Sequence, residues 1–326
     1  GSIHLKQIAI PIGVIGVIFE SRPDALIQIA SLCIKSGNSV ILKGGSEAKK
    51  SNLILFKIIR SALIEANVNE DCVQIIESRA DVTELLKQTD FVDLIIPRGS
   101  NTFVSYIQEN SRIPVLGHSD GVCHVFVDSE ADIDKAVKII IDSKCQYPSA
   151  CNSVETLLVN EDIAKDFLIK LENKFKKNNV KIIGDDKVQN IIPVDKIASE
   201  EDWGKEYGDL IISIKIVGNV DEAINHINSF GSKHTDCIIT ENQEIAEEFI
   251  KKVDSSSVIW NASTRFADGY RYGKGAEVGV STSKIHARGP VGIEGLLSTK
   301  YVLKGNGDVV EDYTKGNKKF KHRKVK

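Results

Sequence analysis

Short apolar runs alternate with helical patterns along most of this chain, and that alternation limits what it can fold into. Gln7 to Phe19, Ser39 to Leu42, Val73 to Ile76 and Val92 to Ile96 are apolar and rich in β-branched residues, which predicts strands. Between them Asp24 to Lys35, Ser51 to Ala66 and Ala80 to Lys87 repeat apolar residues at helical spacing. Parallel strands need long crossovers, so this βαβα order implies a parallel sheet with helices on both faces. Such sheets bind ligands at the carboxyl ends of their strands. A second series follows, with strands at Val122 to Val127, Val154 to Val159, Val180 to Ile183, Leu210 to Ile216, Asp236 to Thr240 and Ser257 to Trp260. Its helices are Ala131 to Lys144, Ile163 to Phe175, Val220 to Phe230 and Ile245 to Val253. The reading is an α/β chain of two domains, 1–120 and 121–295. Residues 296–326 follow, holding an edge or oligomer strand (Leu296 to Leu303) and a lysine-rich tail.

Composition narrows the function classes. The 326 residues can bury a substantial core, and 42 basic against 45 acidic side chains leave no overall footprint for nucleic acid or a membrane surface. No apolar run approaches membrane-spanning length. The six cysteines form neither a CxxC pair nor a Cys/His group at zinc-ligand spacing, so no metal site is expected. Their scatter suits a reducing intracellular compartment, cytoplasmic or mitochondrial.

Three segments carry chemistry. Tyr147-Pro148-Ser149-Ala150-Cys151-Asn152 lies between a helix and a strand, where Pro148 stops the helix and small neighbours leave room beside the sulfur. A thiol presented there can act as a nucleophile; a buried cysteine serving as a small hydrophobe is the alternative. Leu42-Lys43-Gly44-Gly45-Ser46-Glu47-Ala48 and Ile96-Pro97-Arg98-Gly99-Ser100 each join a strand to a helix start, a place for ribose or phosphate. Ordinary tight βα connections would look the same. There is no GxGxxG after the first strand. Asn261 to Pro290 is glycine-rich, polar and without periodicity, which marks a functional loop or disorder.

Taken together, these segments resemble the γ-glutamyl phosphate reductases of the aldehyde dehydrogenase superfamily, with the nearest likeness to the reductase half of eukaryotic Δ1-pyrroline-5-carboxylate synthase. The resemblance rests on Phe19-Glu20-Ser21-Arg22-Pro23-Asp24, on the Lys43 and Arg98 segments above, and on Gly117-His118-Ser119-Asp120-Gly121. It continues through the Cys151 segment, Trp260-Asn261-Ala262-Ser263-Thr264-Arg265-Phe266 and Ile285-His286-Ala287-Arg288-Gly289-Pro290-Val291-Gly292. It spans about Ile8 to Val309. Family members begin with a further N-terminal helical region that has no counterpart here, so domain 1–120 is expected to be a partial cofactor domain.

The resemblance implies an aldehyde dehydrogenase-like fold and a Cys151 thioester mechanism that reduces L-γ-glutamyl 5-phosphate to L-glutamate 5-semialdehyde in proline biosynthesis. It implies NADPH as cofactor, held by Ser21, Arg22, Lys43, Ser46, Glu47, Pro97, Arg98, Gly99 and Ser100. NAD-preferring relatives carry Glu where this chain has Ser46; a neutral residue there, with Lys49 and Lys50 nearby, favours a 2′-phosphate. Asn152 or Asn261, with the Cys151 N–H, would face the oxyanion. His118, Asn261, Arg265, His286 and Arg288 would meet the substrate, with Glu277 and Asp268 as weaker partners for its ammonium. Oxidising relatives have a glutamate base where this chain reads Leu116-Gly117-His118-Ser119, which fits reduction and speaks against an oxidative enzyme. An inactive oligomerising fragment is the non-enzymatic alternative. Partners are a small-molecule substrate, a second copy of the chain, and a fused glutamate 5-kinase domain as in the bifunctional synthase.

Overall fold

The computed structural model describes residues 3–20, 23–118 and 120–323. Its first sheet contains β2 (Val14–Phe19), β3 (Ser39–Lys43), β4 (Val73–Ile75) and β5 (Leu94–Arg98), connected by α1 (Pro23–Lys35), α2 (Lys49–Glu65) and α3 (Arg79–Leu85). The strands are parallel in the order β4-β3-β2-β5. Residues two apart on β2 face the same side. Ile15 and Val17 pack with Leu26, Ile29 and Leu42, while Ile18 joins Val82, Leu85 and Ile95 on the other face.

The first strand ends earlier than the apolar run suggests. β1 (His4–Pro11) leaves the sheet and pairs antiparallel with β15 (Leu297–Lys304). Pro11 offers no N–H for a central ladder, and Gly13 turns the chain with φ 135°. A Cβ on Gly13 would lie 2.1 Å from Asp93 Oδ2, the oxygen that accepts the Val14 N–H at 2.8 Å. Periodicity cannot see that break.

The second sheet holds β6 (Cys123–Val127), β7 (Val154–Asn160), β8 (Lys181–Gly184), β9 (Lys196–Ile197), β10 (Ile211–Val217), β11 (Thr235–Ile239) and β12 (Ser257–Trp260). Their order is β12-β11-β6-β7-β10-β8-β9, all parallel. α5 (Ile133–Cys145) and α6 (Ala164–Lys177) cover one face, with Val125, Val127, Leu157 and Val159 pointing at them. α8 (Val220–Phe230) and α9 (Gln243–Lys252) cover the other, where Phe126 stacks on Phe249 at 6.3 Å. Each such side chain contributes about 1.5–3 kcal/mol by leaving water. α7 (Asp186–Gln189) and β9 are too short for a periodic signal.

How the sheets are joined decides where the site lies. After β5 comes α4 (Asn101–Asn110), and the chain then returns beside β5, with Val115 bridged parallel to Ile95. From there it runs directly into the start of β6. The carboxyl end of the first sheet therefore faces the amino end of the second. The glycine-rich segment folds back across this junction: β13 (Gly279–Ser281) pairs with β14 (Gly289–Val291), and Val278, Val291 and Leu296 enter the core of the first sheet. α10 (Val310–Thr314) follows β15. Among the described residues no helix is long and apolar enough to cross a membrane.

Gly13→Ala should lower stability by about 1–3 kcal/mol, because the new side chain meets both an unfavourable φ and the Asp93 carboxylate. Urea unfolding followed by circular dichroism checks this; an unchanged midpoint would show that the turn is not constrained.

Candidate active site

Cys151 lies in the turn between α5 and β7, at the amino end of the second sheet. The turn is closed by Ala150 N–H to Tyr147 O at 3.2 Å and Ser153 N–H to Ala150 O at 2.8 Å. The linker passes directly against it. A Cβ on Gly121 would approach the Cys151 carbonyl oxygen to 2.4 Å and its Cα to 2.7 Å, so only glycine fits without moving backbone. Beneath the turn, the Cys123 thiol donates to the Cys151 carbonyl at 3.2 Å. Deeper still, Lys144 Nζ bonds to Val154 O at 3.0 Å and Glu155 Oε2 at 2.7 Å, and both side chains are fully enclosed. Burial raises the Glu155 carboxyl to about 7 despite that partner, and burial lowers Lys144.

Around the sulfur the structure gathers residues distant in sequence. His118 from the linker, Cys151, and His234 just ahead of β11 place one ligand-capable atom each within 4.8 Å of one another. His118 Nδ1 is 2.8 Å from Val280 O, and its ring meets that of His234 edge-on with centroids 4.7 Å apart. Burial pulls the His118 pKa below its ordinary value; the Val280 hydrogen bond and the charges of Glu206 and Asp120 oppose this, and Arg98 assists it. Glu206 accepts from the Gly121 N–H at 3.0 Å and from the Asn101 amide at 3.1 Å, while the same amide donates to Asp120 at 2.6 Å. That pair of carboxylates ties α4 to the loop before β10. Neither His234 nor Glu206 has a local sequence signal, because His234 stands 83 positions beyond Cys151 and Glu206 lies in a polar loop.

The residues singled out from sequence divide into two groups. Arg265, buried behind the Cys151 turn, donates from Nε to Gln146 at 2.9 Å, covers the Tyr147 ring, and is close enough to Cys151 for their charges to interact. Burial, then neighbouring Arg271, lowers its pKa. Glu277 is half-buried, accepts from Gly269 N–H at 2.8 Å, and is raised mainly by burial, with Asp268 adding to it. Asn152 is buried and donates to Ala267 O at 2.9 Å.

Others are committed elsewhere. Asn261 donates to Thr240 O at 2.8 Å and accepts from Thr240 N–H at 3.0 Å, so its amide pins β11 to β12 and does not serve an oxyanion. Arg288 is no free anion clamp, since it pairs with Asp254 Oδ1 at 3.0 Å and donates to Thr282 O at 3.2 Å. Lys284 also holds Asp254, and together they lower its carboxyl to about 2. His286 contacts Gly295 O at 2.9 Å and, with Lys274 and Arg288, lines a cleft of 430 Å³ whose walls do not include Cys151. A second cleft, 980 Å³, lies between α5, α6 and Asn261–Ser263, again without Cys151. Chemistry and position at the sheet junction, not cavity size, mark the site.

Of the cofactor candidates, Pro97 to Ser100 stand at the first sheet's switch point, between β2 and β5, where Phe19 pairs with Arg98, and Lys43, Ser46 and Glu47 follow β3 on the other side of β2. Glu20 accepts from the Ser100 N–H at 2.8 Å, and the Glu20 N–H donates to Arg98 O at 2.9 Å. Pro97 and Gly99 flank Arg98 on this rim. Neither Ser100 at the start of α4 nor Gly45 before the turn Ser46–Ala48 makes a side-chain cap, and the Ser100 N–H is taken by the Glu20 carboxylate. Lys43 ends β3; Ser46 and Glu47 are exposed beyond it. Lys49 pairs with Glu77 at 2.5 Å, which leaves Lys43 and Lys50 to supply positive charge beside Ser46. Ser21 and Arg22 lie outside the described residues.

The other cysteines are poor nucleophiles. Burial raises Cys33 and Cys237 to about 12, and it also raises Cys72, Cys123 and Cys145.

Comparison with known proteins places the chain in a family. The aldehyde dehydrogenase family profile matches residues 5–198. The chain is 57% identical over 323 residues to γ-glutamyl phosphate reductase of Ruminiclostridium cellulolyticum, covering 99% of this chain and 74% of that protein. The crystal structure of γ-glutamyl phosphate reductase from Thermotoga maritima matches with a TM-score of 0.92 and 44% identity, over 94% of this chain and 75% of that one. A glyceraldehyde-3-phosphate dehydrogenase from Methanocaldococcus jannaschii, solved with NADP, shares the fold at a TM-score of 0.69 and 19% identity, over 94% of this chain and 76% of that one. The chain belongs to the aldehyde dehydrogenase family and, within it, to the γ-glutamyl phosphate reductases.

Proposed function

We propose that this chain reduces L-γ-glutamyl 5-phosphate to L-glutamate 5-semialdehyde and inorganic phosphate with NADPH, through a thioester on Cys151, as a step of proline biosynthesis. The observation that carries the reading is the position of Cys151 at the sheet junction, beside two histidines, in a chain 57% identical to a γ-glutamyl phosphate reductase. Neutral His118, with Nδ1 turned to Val280, keeps a lone pair on Nε2 and takes the thiol proton as sulfur attacks the acyl carbon. The Cys151 N–H, accepted by no described residue, faces the developing oxyanion. The carbon–oxygen bond to phosphate then breaks, and protonated His118 assists the departing anion. Bound NADPH would supply the hydride that reduces the thioester, and the Cys151 sulfur is released as thiolate when the aldehyde departs.

Lys43, Ser46, Arg98, Gly99 and Ser100 would hold the cofactor at the carboxyl ends of β3 and β5. Arg265 supports recognition of the substrate's anionic groups, and Glu277 and Glu206 its ammonium. Six free cysteines support a reducing intracellular compartment. The β1–β15 ribbon supports a homo-oligomer, because Leu5, Tyr301 and Leu303 are each more than 60% exposed and two lone strands are marginal in water. A fused kinase domain belongs to the same reading through the bifunctional relatives.

Cys151→Ser should cut turnover by at least about 10³-fold. Cys145→Ser should keep it, as measured by NADP reduction with semialdehyde and phosphate at high pH. Equal losses in the two variants would overturn the assignment. Ser46→Glu should reduce the preference for NADPH over NADH by about tenfold, as the new carboxylate repels a 2′-phosphate; an unchanged ratio of kcat/KM values would count against that position. For His118, the lowered pKa places the acid limb of kcat/KM below 6.5. His118→Asn should remove that limb and slow the reaction by about 10²-fold or more, whereas a profile identical to the parent would exclude His118 as the base.

A further inference from the structure

We propose that Cys151, His118 and His234 form a binding site for one zinc ion, whose occupancy blocks the nucleophile reversibly. The blockade rests on Cys151 being the nucleophile; the binding does not. The three residues come from three separate elements: the linker, the turn before β7, and the start of β11. Their ligand-capable atoms lie within 4.8 Å of one another. Ligands of a tetrahedral zinc ion stand about 3.3–3.8 Å apart at bond lengths of about 2.0–2.3 Å, so a small rotamer adjustment closes the set.

Both imidazoles are prepared for a metal. His118 is oriented by the Val280 carbonyl at 2.8 Å from Nδ1, the backbone support typical of metal-ligating histidines, and Nε2 is the ring nitrogen that remains for a metal. His234 is 0% exposed and holds Nδ1 2.9 Å from Thr235 Oγ1. Its Nε2 is buried and has no hydrogen-bond partner among the described residues. A buried polar atom without a partner is destabilising, and a metal would supply the missing contact.

One sulfur and two nitrogens suit a borderline-soft ion such as Zn²⁺ and are poor ligands for Mg²⁺ or Ca²⁺. Three protein ligands leave a fourth position for water or an anion. Binding releases the Cys151 proton to solvent and engages the sulfur lone pair needed for attack on the acyl carbon. Removing the ion restores the thiol.

The test is titration of the purified protein with Zn²⁺ against a fluorescent zinc indicator, paralleled by iodoacetamide labelling of Cys151 read by peptide mass. The expected result is one ion per chain and labelling of Cys151 slowed at least about tenfold, reversed by EDTA. Cys151→Ser and His118→Gln should each weaken zinc binding at least about tenfold, and Cys145→Ser should leave it unchanged. His118→Gln carries the test because replacing fully buried His234 puts the fold at risk. Undiminished zinc affinity in Cys151→Ser or His118→Gln, or Cys151 labelling indifferent to zinc, would overturn the proposal. Zinc protection of Cys151 in a protein that lacks reductase activity would instead refute the proposed reaction while leaving the metal site standing.

Discussion

The site depends on one backbone pairing, the parallel bridge between Val115 and Ile95. It brings the chain back alongside β5, eight residues before β6 begins at Cys123. The strand ends of one sheet are thereby set against the strand starts of the other. Loops that hold dinucleotides in doubly wound sheets emerge from the first; the turn bearing Cys151 and the residue preceding β11 emerge from the second. Gly121 permits this closeness because its hydrogen replaces a side chain that would strike the Cys151 backbone.

Electrostatics at the junction follow from burial. The Lys144–Glu155 pair supports β7 from within, each side chain held away from its ordinary ionisation by loss of water and drawn back by the other. Glu206 and Asp120 share the Asn101 amide on the rim, so α4 of one lobe and the loop before β10 of the other are joined by hydrogen bonds to carboxylates. Arg265 thus stands behind the Cys151 turn, while the carboxylates of Asp120 and Glu206 lie on its linker side.

Much of the architecture was legible from apolar spacing. Both βα series and the strand at the carboxyl end lie within a few residues of their predicted positions, since long periodic segments report burial directly. The failures have local causes. The run from Gln7 to Phe19 is continuous in hydrophobicity, yet Pro11 and Gly13 divide it between two sheets. The segment 261–290 lacks periodicity because its order comes from contacts such as Gly269 with Glu277 and Val278 with Val291. Cys151 and the βα turns could be picked out as motifs. His234 and Glu206 could not, because only the folded junction makes them neighbours. Arg288 and Asn261 looked functional for their residue type; Asp254 and Thr240 engage them.

The ribbon formed by His4–Pro11 and Leu297–Lys304 joins segments about 290 residues apart, His4 lying opposite Lys304. Its ladder spans a very long sequence separation, so it gains nothing until both lobes have brought those strands together. Closure entropy grows only slowly with loop length, which makes the ribbon affordable once they have. It is consequently the part of the molecule whose formation reports completed assembly, and whose opening requires neither core to be disturbed.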